Sequence, residues 1–419
     1  MKLIVNIHCL GGFREVGRNG VLVESSKNVL LDYGLKVENA GKPKHPNREV
    51  DALFVAHGHL DHLGLAPAIY RQYKCPVYVT GPTLDLSNLL LRDSLKIAKL
   101  KGMPRHYSAT DIVNLHKGEK RIHYGDEIKV GRKVKVDVWD AGHMPGSCMF
   151  VVKTRGKKIL YTSDFKIKST RLVNGARFDA KNIDVVLMET TYSSRNHPPR
   201  KKTEKELFQD VKNTIDKGGI ALLPSFAIRA PELLMVLNDF GADFPVYLDG
   251  MAKSATDIFL RHPKFLRKPK ALKAATEKVI PLFSQEERNN ALKEPCAIVT
   301  TGGCMEGGPI IHYIKKLYSD SNSSLIMTGF QIPGTAGRYL VDTNRFVHDN
   351  MDLKLKMRMS QYDMSAHAGR DELIKFVKKI NPKKVLCMHG EYCKKFATEL
   401  NSRFELDAMA PKNGDVIKI

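Results

Sequence analysis

The chain has 419 residues, of which 42% are hydrophobic and 27% are charged. This composition is that of a folded protein and excludes a disordered chain, while the length exceeds the roughly 100 to 200 residues of one domain. No apolar run approaches the roughly 18 residues of a membrane-spanning helix, and the N-terminus predicts a strand instead of a signal peptide. We therefore expect a cytoplasmic protein of two domains with no membrane partner.

The formal net charge is +22 at pH 7. A positive field of this strength attracts polyanions by counterion release, so nucleic acid is the predicted partner, and a generally basic composition is the alternative. The seven cysteines contain no C-x-x-C pair. This spacing argues against a disulfide framework and against a zinc site made of cysteines.

The first predicted elements are short apolar strands, which run from LIVNIHCL to KKILYTSDF. Many are β-branched runs that end in glycine or in polar residues. Helical stretches interrupt them, notably LGLAPAIYRQY and LDLSNLLLRDSLKIAKLKG, in which apolar residues recur at spacings of three and four. Residues 1–194 are therefore predicted to form a β-rich domain with inserted helices and polar strand ends.

The pattern changes at about Arg195, where helices begin to alternate with apolar strands such as GIALLPSF, PVYLDG and CAIVTTGG. This alternation predicts a parallel α/β domain over residues 195–350. The next predicted strand is LKLKMRMSQYDM, followed by the helical segment SAHAGRDELIKFVKKI and the strand of KKVLCMHGE. Residues 351–419 are predicted to return to the first domain, because polar residues again follow an apolar strand.

The segment HGHLDH follows the predicted strand ALFVA and contains His57, His59, Asp61 and His62. Four such side chains within six residues cannot all face one side of a strand, so they must spread around a turn. This arrangement suits two adjacent cations better than one. A polar turn that happens to be rich in histidine is the alternative.

Further ligand types stand at other predicted strand ends, namely His143, Asp164 and His389. Taken singly, each of these residues is weak evidence for a metal site, because a lone histidine at a strand end more often forms structural hydrogen bonds than binds a metal. Asp32, in LLDYG, is predicted either to orient a nucleophilic water or to form a turn.

Taken together, these residues resemble the signature of the metallo-β-lactamase superfamily. The segments METTYSS, SAHAG and CMHGE are similar to motifs of its β-CASP nucleases, and in particular of the branch containing the cleavage and polyadenylation specificity factor and its short archaeal and bacterial members. The resemblance implies an α/β fold, a four-layer αβ/βα sandwich with an inserted parallel α/β β-CASP domain.

The resemblance also implies a site with two Zn²⁺ ions. The implied ligands are His57, His59 and His143 for one ion, Asp61, His62 and His389 for the other, and Asp164 as the bridge between them. Asp32 and Asp61 would orient the attacking water. His367, held by Glu189, would protonate the leaving 3′ oxygen. The alternative for His367 is a position in the first turn of a helix that Ser365 caps.

The implied reaction is hydrolysis of phosphodiester bonds in single-stranded RNA. Endonucleolytic cutting is the expectation, and the sequence leaves 5′ to 3′ exonuclease action open. Arg229, Ser365 and Arg338 are the candidate RNA contacts. A homodimer and a larger RNA-processing assembly are the other implied partners. Three alternatives stay open: a β-CASP DNA nuclease, a non-catalytic RNA-binding partner subunit and a hydrolase of small esters. The histidine of CMHGE favours RNA over DNA.

Overall fold

The computed structural model of the chain describes residues 4–37 and 39–419. The contacts divide the chain into two compact units. The first unit comprises Met1–Asn196 and Ala366–Ile419, and the second comprises His197–Ser365. Among the described residues, none forms a helix with both the length and the apolar composition required to cross a membrane.

The elements follow one another in this order. The first part of the first unit contains β1 (Asn6–Gly11), β2 (Gly20–Glu24), β3 (Val29–Tyr33), β4 (Ala52–Phe54), α1 (Leu60–Leu63), α2 (Ala66–Tyr73), β5 (Val77–Val79), α3 (Gly81–Leu100), α4 (Ala109–Leu115), β6 (Glu119–Arg121), β7 (Glu127–Val130), β8 (Val134–Asp140), β9 (Cys148–Thr154), β10 (Lys157–Tyr161) and β11 (Val185–Glu189). The second unit contains α5 (Arg200–Asp216), β12 (Ile220–Ser225), α6 (Ala230–Asp239), β13 (Val246–Asp249), α7 (Ala252–Arg261), a 3₁₀ turn (Pro263–Phe265), α8 (Pro269–Glu277), β14 (Ile280–Leu282), α9 (Gln285–Ala291), β15 (Cys296–Thr301), α10 (Ile310–Leu317), β16 (Ser324–Met327), α11 (Ala336–Thr343), β17 (Arg345–His348), β18 (Met351–Lys354) and β19 (Arg358–Gln361). The last part of the first unit contains α12 (Arg370–Ile380), β20 (Lys384–Met388), α13 (Cys393–Phe404), β21 (Ala408–Met409) and β22 (Val416–Lys418).

Two seven-stranded sheets form the centre of the first unit. Their strand orders are β22-β1-β2-β3-β4-β5-β6 and β21-β20-β11-β10-β9-β8-β7. Because side chains alternate between the two faces of a strand, each sheet has an inner and an outer face. The inner faces bury a shared apolar core. In it the rings of Phe54 on β4 and Phe150 on β9 meet edge to face, with their centroids 5.3 Å apart.

Helices cover the outer face of each sheet. On the first sheet, Ile69 of α2 and Ile112 of α4 pack into a cluster with strand residues such as Leu53. On the second sheet, Phe376 of α12 and Phe396 of α13 pack against the outward side chains of its strands. The result is four layers in the order helix, sheet, sheet, helix. The predicted αβ/βα sandwich is confirmed.

The second unit is built on a six-stranded sheet in the order β14-β13-β15-β12-β16-β19. Every neighbouring pair in this sheet is parallel. Parallel neighbours require crossover connections, and helices such as α6, α7 and α10 provide them. The predicted parallel α/β domain is therefore confirmed as an insertion between the two parts of the first unit.

The predicted strand LKLKMRMSQYDM is wrong, because the segment forms two strands in different sheets. β18 pairs antiparallel with β17, and β19 pairs parallel with β16. Between them Leu355 and Met357 are buried in the core of the second unit, which turns the chain from one sheet to the other. Because β19 belongs to the inserted sheet, the second unit continues to Ser365, past the boundary predicted after residue 350.

The core between the two sheets is expected to dominate the stability of the first unit. Replacing the fully buried Phe150 with alanine should lower the free energy of unfolding by about 3 to 5 kcal/mol, because it leaves a cavity beside Phe54. Urea unfolding can be followed by the fluorescence of the single tryptophan, Trp139 on β8. The control Leu100→Ala alters a side chain that is 75% exposed and should change stability by no more than about 0.5 kcal/mol. Equal losses in both variants would contradict the assigned core.

Candidate metal centre

Ligand-type side chains of the first unit gather where neighbouring strands end. Asp164 follows β10, Glu189 is the last residue of β11, and His389 follows β20. β10, β11 and β20 are parallel neighbours, so their carboxyl ends lie at the same edge of the second sheet. On the first sheet, His57 lies shortly after the end of β4, and α1 begins soon after it at Leu60. Sheet topology thus brings together residues that are far apart in sequence.

Three histidines and one aspartate form the first group: His57, His59, His143 and Asp164 offer ligand atoms that all lie within 4.8 Å of one another. Nε2 of His57 is 2.9 Å from Nδ1 of His59, and Nε2 of His143 is 3.2 Å from the same atom. Nδ1 of His143 donates to the carbonyl oxygen of Ala366 at 3.0 Å. In a neutral ring the lone pair is therefore on Nε2, which faces the other histidines.

Asp61, His62 and His389 form the second group. Nε2 of His389 is 3.1 Å from Oδ2 of Asp61, and Nε2 of His62 is 3.8 Å from the same oxygen. Asp164 lies between the groups. Its Oδ2 is 3.5 Å from Nε2 of His57 and 3.3 Å from Nε2 of His62. One carboxylate thus contacts both groups, which is the position expected for the bridge.

The burial of these groups fits cation binding. Asp164 is 2% exposed. Nδ1 of His389 lies 3.2 Å from Oδ1 of Asp164 but without hydrogen-bond geometry, and no other donor among residues 4–37 and 39–419 bonds to this buried oxygen. An unsatisfied buried carboxylate oxygen is costly, and a cation offsets that cost. Imidazole nitrogens with carboxylate oxygens are a donor set that zinc prefers.

The pKa values of the histidines in this centre shift in opposite directions. Burial, together with the neighbouring imidazoles, lowers the pKa of His57 well below its ordinary value and that of His59 to about 4. Burial also lowers the pKa of His62, but the carboxylates of Asp164, Asp61 and Asp32 outweigh it and raise that pKa well above its ordinary value. The acidic side of the centre therefore favours positive charge, which either a protonated His62 or a bound divalent cation would supply.

Asp32 is buried and holds one of the histidine rings. Its Oδ1 accepts from the backbone nitrogen of Ala56 at 2.7 Å. Its Oδ2 accepts from Nδ1 of His62 at 2.6 Å and from the hydroxyl of Tyr161 at 2.8 Å. These contacts leave Nε2 of His62 facing the centre. They favour a role in positioning His62, and the predicted role of Asp32 toward water stays a prediction.

Glu189 and His367 form a pair beside the first group. Oε1 of Glu189 is 3.1 Å from Nδ1 of His367, and the same carboxylate accepts from the backbone nitrogens of Phe165 and Thr191 at 3.2 Å each. The ring of His367 lies 4.7 Å from that of His143, centroid to centroid. Burial lowers the pKa of His367, but the Glu189 carboxylate, with Asp164 behind it, outweighs this effect and raises it.

The alternative interpretation of His367, as a residue in the first turn of a helix that Ser365 caps, is wrong. α12 begins at Arg370 with Gly369 at its N-cap, so Ser365 does not cap it and His367 precedes the helix.

The three candidate RNA contacts have partners within the chain. The Arg229 guanidinium pairs with the carboxylate of Glu232 and donates to the carbonyl oxygen of Met364 at 3.0 Å. The backbone nitrogen of Ser365 donates to Asp363 at 3.1 Å. Arg338 is exposed on α11 and pairs with Asp342, one turn away, at 2.5 Å. Their role toward RNA stays a prediction.

Sequence reasoning missed several residues that touch this centre, among them Lys166 and Asn19. Lys166 is buried, and its Nζ donates to the carbonyl oxygen of His367 at 2.8 Å. Asn19 is fully buried, and its Nδ2 donates to the carbonyl oxygen of Asp61 at 3.2 Å. The available signal for Lys166 was its place two residues after Asp164 in YTSDFK. Asn19 carried no comparable signal, because its partner lies in a distant segment.

Comparison with family models covers most of the chain. Residues 21–192 match a metallo-β-lactamase superfamily domain, residues 230–340 match a β-CASP domain, and residues 352–411 match a zinc-dependent metallo-hydrolase RNA specificity domain. A crystal structure of a protein of unknown function from Enterococcus faecalis shares the fold, with a TM-score of 0.61 and 15% identity, over 99% of this chain and 100% of that one.

Curated relatives match over almost the full chain. It is 34% identical to the probable RNase MJ4 of Methanocaldococcus jannaschii, over 98% of this chain and 99% of that protein. It is 33% identical to RNase aCSPSF2 of Saccharolobus solfataricus, over 98% and 84% respectively. It is 32% identical to the transcription termination factor FttA of a Lokiarchaeum species, over 99% and 72%. The chain belongs to the metallo-β-lactamase superfamily, in the family whose members carry a β-CASP domain.

Proposed function

We propose that the chain is a metal-dependent ribonuclease that hydrolyses phosphodiester bonds of single-stranded RNA. One observation carries this proposal: two ligand groups joined by Asp164 lie beside the pair of Glu189 and His367. The first arrangement suits activation of water, and the second suits proton transfer to a leaving group. The relatives named as RNases and the match to an RNA specificity domain support RNA as the substrate.

The proposal includes two Zn²⁺ ions. The residues proposed to hold them are His57, His59 and His143 for one ion, Asp61, His62 and His389 for the other, and Asp164 between them. Zinc, when bound, supplies a Lewis acid for a phosphate oxygen and lowers the pKa of a bound water. The protein contributes fixed lone pairs, because Asp32 holds the ring of His62 and the Ala366 carbonyl holds that of His143.

His367 is proposed to be the general acid. Glu189 occupies its Nδ1, which leaves Nε2 as the atom that gives its proton to the leaving 3′ oxygen. Hydrolysis then forms a bond from water oxygen to phosphorus and breaks the bond to the 3′ oxygen, so the product carries a 5′-phosphate. Lys166 fixes the backbone of His367 and acts as a positioning residue.

The net charge of +22 favours a polyanionic substrate over a small ester. Arg229, Ser365 and Arg338 are proposed to contact the RNA. The proposal places the activity in the cytoplasm, in RNA processing or decay, with a homodimer or a larger assembly as the working form. Cutting is proposed to be endonucleolytic, with 5′ to 3′ exonuclease action in addition.

Removing two ligands of the first group should abolish cleavage. His57→Ala with His59→Ala should reduce the rate by more than the roughly 10- to 100-fold that follows loss of a residue that only orients a ligand. Labelled single-stranded RNA, linear and circular, is incubated with zinc, and wild-type protein should cut both, because an endonuclease needs no end. The control pair His123→Ala and His312→Ala removes two histidines that are not candidate ligands and should leave the rate unchanged. Wild-type cleavage by the ligand variant would falsify the proposal.

Removing the proposed acid should separate chemistry from metal binding. His367→Ala should keep its zinc by elemental analysis yet lower kcat by about 10²- to 10⁴-fold, because no positioned group protonates the leaving oxygen. Glu189→Gln should lower kcat in the same direction by weakening the charge that holds the proton on His367. Loss of zinc from His367→Ala would instead make His367 a ligand.

A further inference from the structure

A groove of about 880 Å³ lies in the helical layer outside the first sheet. It is lined by α2, the last turns of α3, the loop after α3 and the start of α4, and none of its residues is a candidate metal ligand. Four cationic side chains line it, Arg71, Lys96, Lys99 and Arg105, against one carboxylate, Asp111. All four cations are exposed.

The single carboxylate of this groove is already engaged. Oδ2 of Asp111 accepts from the backbone nitrogen and the hydroxyl of Ser108, at 2.8 and 2.9 Å, as part of the capping box of α4. The same oxygen accepts from Arg71 at 2.9 Å. In the part of the chain that the structure describes, Lys96, Lys99 and Arg105 form no ion pair within 4 Å, and the charge of Lys96 acts at longer range on the partly buried carboxylate of Asp93. Three positive charges of the groove are therefore not neutralised by ion pairs.

The wall of the groove is held without these three cations. Arg71 donates to the carbonyl oxygen of His106 at 3.2 Å, and Nε2 of His106 donates to that of Ala40 at 2.8 Å. The hydroxyl of Tyr107 donates to the carbonyl oxygen of Leu91 at 3.2 Å. The loop between α3 and α4 is thus fixed to α2 and to α3. The cationic side chains of the groove therefore stand on a preformed surface.

We propose that this groove binds the phosphate backbone of an RNA strand outside the metal centre, an inference that rests on the proposed function. Lys96 and Lys99 are three residues apart on α3, so their side chains lie on one face of the helix, and Arg105 lines the same groove. A row of cations gains counterion release at each phosphate of a strand, whereas a single phosphate ion engages only part of the row. The groove therefore selects a polyanion over a small anion.

The test neutralises the three unpaired cations together, as Lys96→Gln, Lys99→Gln and Arg105→Gln. The probe is a fluorescein-labelled oligouridylate of about thirty nucleotides, and anisotropy gives the affinity at several salt concentrations. Every protein in this test is loaded with zinc and contains the substitution His367→Ala, which is expected to slow cleavage. A gel verifies that the RNA remains intact. We expect affinity to fall by about tenfold or more and the slope of log affinity against log salt to shrink by about two, because each phosphate contact contributes roughly 0.7 to 1.

The matched control removes the same charge elsewhere in the first unit, with Lys129→Gln, Arg132→Gln and Lys133→Gln. These exposed cations lie on β7 and in the turn to β8. The control should lose less than threefold in affinity, because it changes only the general field. Equal losses in both variants, or wild-type binding by the groove variant, would overturn the proposal. Thermal unfolding verifies that both variants fold.

Cleavage of the same RNA by the protein without His367→Ala is measured separately. If that protein cuts no RNA while the groove variant still binds more weakly than the control, the groove proposal stands and the nuclease proposal fails. If it cuts RNA while groove and control variants bind alike, the groove proposal fails alone.

Discussion

The arrangement of the centre depends on the carboxylate of Asp164. It lies within 3.5 Å of His57 in one ligand group and of His62 in the other. It is buried, and none of the described residues donates a hydrogen bond to its Oδ1. A negative charge in this position is stable only beside positive charge. The parallel strands β10, β11 and β20 hold it there, since their carboxyl ends share one edge of the sheet.

A second constraint is that the rings around Asp164 are held by atoms outside the centre. Asp32 fixes His62, the Ala366 carbonyl fixes His143, and Glu189 fixes His367. In His62 and His143 the contact occupies Nδ1, and Nε2 faces the centre. In the proposed function, such a contact directs a lone pair in each of these two ligands, and the contact from Glu189 holds the proton of His367.

Much of this centre could be predicted from sequence because its residues stand in recognisable local segments. HGHLDH supplies four side chains in one turn, and Asp164 and His389 each follow an apolar strand. The contacts of Asn19 and Lys166 could not be predicted, since each is made to a segment distant along the chain. The division of residues 351–361 between two sheets was missed for a related reason, because apolar alternation does not reveal which strand becomes the partner.

The proposal that depends most on this arrangement is that the two ligand groups would hold two Zn²⁺ ions, with Asp164 as a residue of both sites. Calorimetric titration of metal-free protein with Zn²⁺, with RNA cleavage measured on the same samples, tests this claim most directly. We expect two ions bound per chain, and cleavage that reaches its maximum only when the second ion is bound. One ion per chain at full cleavage, or cleavage without any bound ion, would contradict it.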